Sequence, residues 1–207
     1  MIRLKYGNTS TFFIPGERGG LLVDTDWAGT LPAFFRALGQ CGVQVGEIAY
    51  VLATHYHPDH MGLIPELMRL GVRLLLMDTQ REDVHFADAI FTRDRRLRFS
   101  PIDETRALVL PCSGSRAFLA ELGIHGEILS TPSHSRDSVS LLLDDGCCLA
   151  GDLEPPEHLP AWPDDSPLRA DWDAILRRRP VRILYAHRND TVLDPASSAA
   201  YAVRNAP

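Results

Sequence analysis

The sequence predicts an α/β protein of layered sheets with helices on the outside. Three observations carry that reading. Short apolar strand-like runs alternate with helix-period stretches through the first 77 residues, and the second half repeats the style. Four of the apolar runs end on histidine or aspartate, at positions 55–60, 134, 152 and 187. No linker or break in composition divides the 207 residues, which read as one domain.

Strands are expected over 2–6 and 11–14, separated by Gly7-Asn8, and over 21–23, ending at Asp24-Thr25-Asp26. Leu31, Phe34, Phe35 and Leu38 form an apolar stripe, so 30–39 reads as a helix stopped by Gly39. A strand over 48–53 delivers a run of histidines at its C-terminal end. Pro65 suits the first turn of a helix reaching Gly71, and 72–77 is a buried strand. Residues 78–105 are charged, arginine-rich and weakly periodic; a short helix is expected over 81–89, followed by an irregular excursion. Next come a strand over 108–110, a helix over 115–122 ending at Gly123, and a strand over 127–131. A hairpin turns at Asp144-Asp145-Gly146, between strands over 139–143 and 147–150. A helix starting within 164–167 runs to Arg179, with Leu168, Trp172, Ile175 and Leu176 buried. A strand over 181–185 and a last helix over 195–202 complete the chain.

The formal charge of −6 argues against a general nucleic-acid binder. Lys5 is the only lysine, so the basic residues are almost all arginine. There is no signal-peptide pattern and no apolar run long enough to span a bilayer, which makes the cytoplasm the expected location and leaves no membrane partner. Cys41, Cys112, Cys147 and Cys148 contain no CxxC pair and read as small buried residues.

The chemistry concentrates in Thr54-His55-Tyr56-His57-Pro58-Asp59-His60. Three histidines and one aspartate within six residues suit zinc or another divalent transition metal. His55 and His57 are two apart, so an extended segment turns both rings the same way. Pro58 keeps His57 out of the helical region, and Asp59 and His60 fall where the next helix begins. The bland alternative is a histidine-rich surface loop. Against it stand His134, Asp152 and His187, each at the end of another strand, where sites in α/β sheets gather.

Thr54-His55-x-His57-x-Asp59-His60, Thr131-Pro132-Ser133-His134, Ala150-Gly151-Asp152 and Ala186-His187, in that order, resemble the metallo-β-lactamase superfamily. The ligand order is similar to that of glyoxalase II and the N-acyl-homoserine lactonases. The resemblance spans nearly the whole chain, including Leu22-Val23-Asp24-Thr25. It implies a four-layer αββα sandwich with two zinc ions at one edge, iron or manganese being the alternatives. His55, His57 and His134 would hold one ion, Asp59, His60 and His187 the other, with Asp152 between them. Asp59 and Asp152 are the candidate catalytic residues. The true β-lactamases usually carry cysteine at the place of Asp152, which points away from antibiotic degradation. Two cations about 3.5–4 Å apart can share a water and lower its pKa from about 15.7 toward 7, giving a hydroxide that attacks an ester, lactone, thioester, amide or phosphoryl centre.

Ser133 and Asp137 stand where the family often has glycine, and Asp137 is a candidate carboxylate at the pocket rim. Asp24 is expected either to hydrogen-bond a ligand histidine or to cap a turn. His85, His125 and His158 read as ordinary histidines, with His158 the best candidate of the three for a substrate contact. Trp162 is placed either at the mouth or in packing. The run Arg177-Arg178-Arg179 suits a helix C-terminus. In the excursion Arg93, Arg95, Arg96 and Arg98 are interleaved with Phe91 and Phe99; it is a lid over the pocket, with Arg93 and Arg96 as candidate contacts to an anionic substrate, or a solvated charged loop, or an oligomer contact that would make the chain a homodimer. The leading function is a dinuclear zinc hydrolase of a small molecule. An iron oxidoreductase of the persulfide dioxygenase kind and a non-catalytic metal-binding protein are the alternatives. Only 188–207 follow His187, so a glutathione thioester is not the expected substrate.

Overall fold

The computed structural model of the protein describes residues 1–97 and 99–193. The expected helix over 195–202 lies outside them. The first sheet has six strands in chain order: β1 (Ile2–Lys5), β2 (Ser10–Ile14), β3 (Gly20–Val23), β4 (Ile48–Leu52), β5 (Arg73–Met77) and β6 (Leu108–Leu110). Its first three strands are antiparallel, and β3 to β6 run parallel. The second sheet holds β7 (Gly126–Ser130), β8 (Val139–Leu143), β9 (Cys147–Leu149), β10 (Arg182–Leu184) and β11 (Thr191–Val192), in the order β11-β10-β9-β8-β7.

Alternation along the strands sets the layers. Leu21 and Val23 of β3 face inward with Leu75 and Met77 of β5, where they meet Ile128, Leu141, Leu149 and Leu184 of the second sheet. Leu22, Val51, Leu74 and Leu76 face the other way. They pack on Phe34, Ala37 and Leu38 of α1 (Leu31–Gln40) and on the segment holding α2 (Pro58–Met61) and α3 (Ile64–Arg69). Leu142, Cys148 and Ile183 leave the outer face of the second sheet to pack on Leu168, Trp172 and Ile175, in the helix Pro167–Leu176. The result is helix, sheet, sheet, helix. Trp172 is the largest fully buried side chain, and its indole N–H donates to the Glu154 carbonyl at 2.8 Å.

Several details differ from the sequence reading. The helix expected from Pro65 is preceded by the one-turn α2, because Pro58 supplies a preset φ at its first turn. Residues 81–87 form turns, and the helix there is α4 (Asp88–Thr92), later and shorter than expected. A further helix, α5 (Ser115–Glu121), ends before Gly123, which takes φ +80°. The last described helix, α6 (Pro167–Leu176), stops short of Arg179, which takes a left-handed φ of 54°. Strand β11 was not expected; two residues are too short for a period-2 pattern to register. Of the four cysteines only Cys148 is buried. Cys41 is exposed beyond the end of α1, and Cys112 and Cys147 are intermediate, because each lies at an element boundary rather than inside a packed face.

Candidate metal centre

The ends of β4, β7, β9 and β10 deliver their donors to one cleft. His57 keeps an extended backbone (φ −67°, ψ 150°) before Pro58 and caps α2, which carries Asp59 and His60. His55 Nε2 lies 2.9 Å from His57 Nδ1, and His134 Nε2 lies 3.3 Å from the same Nδ1. On the other side His60 Nε2 is 3.1 Å from His187 Nε2, which is 3.1 Å from Asp59 Oδ2. Asp152 stands between the groups. Its Oδ2 is 3.4 Å from His60 Nε2 and 4.0 Å from His134 Nε2, while Oδ1 is 3.6 Å from His187 Nε2.

These spacings fit metal ions. A tetrahedral ion with metal–nitrogen bonds of about 2.0–2.1 Å holds its donors about 3.3 Å apart. The triads His55/His57/His134, His55/His60/Asp152 and Asp59/His60/His187 each converge within 4.8 Å. Nitrogen and oxygen donors without cysteine suit zinc, iron or manganese.

The supporting contacts fix which ring atoms face the cleft. Asp24 Oδ2 sits 3.1 Å from His60 Nδ1, which leaves Nε2 for the centre. Asp24 therefore hydrogen-bonds a candidate ligand, and it also holds the loop: its Oδ1 accepts the Thr54 N–H at 2.6 Å. It does this from φ 58°, a left-handed conformation that aspartate tolerates better than most residues. His187 Nδ1 faces the Asn8 carbonyl at 3.2 Å. Thr9 Oγ1 donates to the Asp59 carbonyl at 2.7 Å. Gly151, with φ +57°, packs so closely on Thr54 that an added Cβ would lie 2.6 Å from Thr54 Oγ1, so only glycine lets Asp152 approach.

Electrostatics follow from burial and these partners. Burial, reinforced by His60, His134 and His57, holds His55 far below the usual imidazole range, neutral and with a lone pair to give. Burial also opposes charge on His60, but Asp24 and then Asp152 outweigh it and push its pKa up to about 10. That environment favours a cation at His60, either a proton or a metal. The hydrogen bond from His187 brings Asp59 down to about 2. Burial works against the charge of Asp152, and His60, His187 and His134 overcome it to keep the carboxyl below its ordinary range.

Other residues support the site, and of these Gln80, Asp171 and Phe86 carry no local signal in the sequence. Gln80, fully buried just past β5, donates from Nε2 to the carbonyls of Ala53 (3.0 Å) and Asp137 (3.1 Å), and its Oε1 accepts the Met77 N–H. Asp137 is buried rather than on the rim. Its Oδ2 accepts the Tyr56 N–H at 2.6 Å, because that backbone group has no ladder partner once β4 ends. Gln80 and Asp137 together tie the His55–His57 loop to the His134 turn. From α6, Asp171 accepts the Ser133 N–H at 2.8 Å, beside His134. Phe86, 54% exposed, sets its ring 5.4 Å from that of His57.

A cleft of about 200 Å³ adjoins the cluster, lined by Ser133, His134, Asp152, Glu154, Trp162 and Leu168. Trp162 is therefore at the mouth. His158 is not in that lining; its Nδ1 pairs with Glu154 Oε1. Arg93 is exposed, and exposed Arg96 is clamped bidentately to Asp94 at 2.8 and 2.7 Å. Neither lines the cleft, and Arg98 lies outside the described residues. Phe91 is buried against Trp27 and Phe99 and anchors the excursion to the core. His85 is exposed between Asp88 and Glu104, while His125 is exposed and lines a separate cavity with Met1 and Ile14.

Two stacked mixed sheets with a histidine–aspartate cluster at their strand ends define an α/β sandwich with a candidate metal centre at one edge. The Metallo-beta-lactamase superfamily model matches residues 4–187, and the chain belongs to that superfamily. It is 24% identical over 198 residues to the Beta-lactamase-like protein 2 homolog of Drosophila melanogaster, covering 95% of this chain and 64% of that one. It is 25% identical over 142 residues to an Atrochrysone carboxyl ACP thioesterase of Aspergillus fumigatus, covering 66% and 27%. The chain thus spans less than two-thirds of the length of these relatives. The solved structure of TTHA1623 in a di-iron-bound form superposes with a TM-score of 0.64 at 21% identity, covering 93% and 94%, and shows the shared fold. Among the described residues no helix is long and apolar enough to cross a membrane.

Proposed function

We propose that the chain is a dinuclear metal-dependent hydrolase acting on an ester, lactone, thioester or phosphodiester of a small molecule. The observation that carries this reading is the convergence of seven donors in one cleft, at spacings an ion would bridge. His55, His57 and His134 would hold one ion and Asp59, His60 and His187 the other, with Asp152 shared. When bound, two such ions lower the pKa of water and polarise the scissile group. The chain's own residues do the rest. Asp24 and the Asn8 carbonyl fix the His60 and His187 rings. Asp59 would hold its ion as a carboxylate and, with the oxygen left over, would orient the attacking water by accepting its hydrogen bond. Asp152 offsets the repulsion between two close cations. A thioesterase among the relatives supports hydrolysis.

Zinc is the proposed metal. The di-iron form of a fold relative keeps iron, and with it an oxidoreductase, as the second reading. Elemental analysis of protein purified without added metal, paired with a screen of ester, lactone, thioester and phosphodiester substrates, tests both. Two equivalents of zinc with turnover of one substrate class is the expected result. Iron with oxygen consumption and no hydrolysis would overturn it.

A further inference from the structure

The cleft beside His134 and Asp152 is more than the approach to the donor cluster. Leu168 forms its floor, 2% exposed and packed with Trp172 in the apolar cluster under the second sheet. Trp162 forms a wall and is 45% exposed, the one large apolar side chain left in water on the connection over 153–168 among the described residues. The ring stands half in solvent where the cleft meets the polar cluster, placed to contact whatever enters. Its backbone is nevertheless fastened. The Trp162 N–H donates to the Leu159 carbonyl at 3.0 Å. The Arg169 guanidinium donates to the carbonyls of Leu159 (2.8 Å), Trp162 (3.0 Å) and Pro163 (2.9 Å). The ring is thus presented on a preorganised wall.

The charges of the cleft are already matched. Glu154 engages His158 through Oε1 and Arg188 through Oε2 at 3.2 Å. Asp152 faces His60, His134 and His187. Behind Ser133, the Asp171 carboxylate holds the backbone N–H. Two carboxylates, Asp152 and Glu154, line the cleft, and both are already engaged, so neither is free to select a charged group. What the cleft still offers is the exposed face of Trp162, with the buried, unpaired Ser133 hydroxyl beside it, in a space on the scale of a short acyl chain or a single ring.

We propose that this cleft is the subsite for an uncharged, apolar acyl or aryl group of the substrate, held between Trp162 and Leu168 while the scissile bond lies at the donor cluster. This rests on the hydrolase reading and names the substrate class of that same site. The test uses 4-nitrophenyl monoesters of acetic, hexanoic, 6-aminohexanoic and adipic acid with the metal-loaded protein. The hexanoyl ester is expected to exceed the acetyl ester by about tenfold or more in kcat/KM, and to exceed both charged analogues by a similar factor. Trp162→Ala should reduce the hexanoyl-to-acetyl ratio at least fivefold (about 1 kcal/mol), and Trp162→Phe should retain it. A separate readout needs no turnover. Hexanol, which has no scissile bond, should shift the indole N–H resonance that Trp162→Phe removes, and ethanol should not. If the indole responds to hexanol while no ester is hydrolysed, the subsite stands and the hydrolase reading falls. If esters are hydrolysed with a chain-length ratio indifferent to Trp162, or with adipate preferred, the subsite is overturned and the hydrolase reading stands.

Discussion

Replacing Asp24 with asparagine isolates what one carboxylate contributes to the centre. The substitution keeps size and tolerance of the left-handed φ of 58°, so the fold should persist. It removes a full charge 3.1 Å from the Nδ1 of fully buried His60. Burial alone would lower the His60 pKa; instead Asp24, helped by Asp152, takes it from 6.5 to about 10. That difference corresponds to an order of 5 kcal/mol in favour of a cation at His60, with Asp24 the largest favourable contributor. A supporting carboxylate behind a ligand histidine typically changes metal affinity by about 10–100-fold. Competition against a chromophoric chelator should therefore show the second ion binding Asp24→Asn at least about tenfold more weakly, with the first ion less affected. The pH signature follows from the raised pKa. In metal-free protein the His60 contribution to stability is complete below about pH 6.5 and is lost as pH rises toward 10. The alkaline decline in Tm should flatten in the asparagine variant. Unchanged affinity for both ions, with an unchanged alkaline decline, would refute the role given to Asp24.

The remaining expectations are narrower. Asp152→Ala should bind one ion instead of two by elemental analysis and lose nearly all turnover, while circular dichroism stays native; two ions with activity near wild type would remove the bridging assignment. Gln80→Leu leaves the Ala53 and Asp137 carbonyls without their buried donor, so urea unfolding should show a loss of about 2 kcal/mol or more, accompanied by weaker metal binding. In metal-free protein His55 is held neutral below its ordinary pKa, so its contribution to stability is present above about pH 6.5 and falls away in acid. Melting curves recorded from about pH 4 to about pH 7 should show that decline, and bound metal should shift it to lower pH.

The sequence disclosed the residues that meet in the cleft, and the layers, for a shared physical reason. Histidines and aspartates at the ends of apolar runs are punctuation, readable in one dimension because a strand end fixes where its next residue points. The uninterrupted apolar run Leu21-Leu22-Val23 likewise announces a strand buried on both faces. The supporting contacts obey no such local rule. Gln80 reaches Asp137 across 57 positions, Asp171 reaches Ser133 across 38, and Asp24 reaches Thr54 across 30. Nothing in Met77-Asp78-Thr79-Gln80 says that the fourth residue turns inward. Only the third dimension supplies the carbonyls that make burying its amide favourable. The arginines of the excursion were conspicuous by composition, yet Arg96 spends its charge on Asp94, two residues away. Phe86 and Trp162 instead flank the centre as isolated aromatics with no periodic partner. The candidate metal donors of this chain are thus written where strands stop. The aromatics proposed to select its substrate are side chains that only the packing of distant segments brings to the same rim.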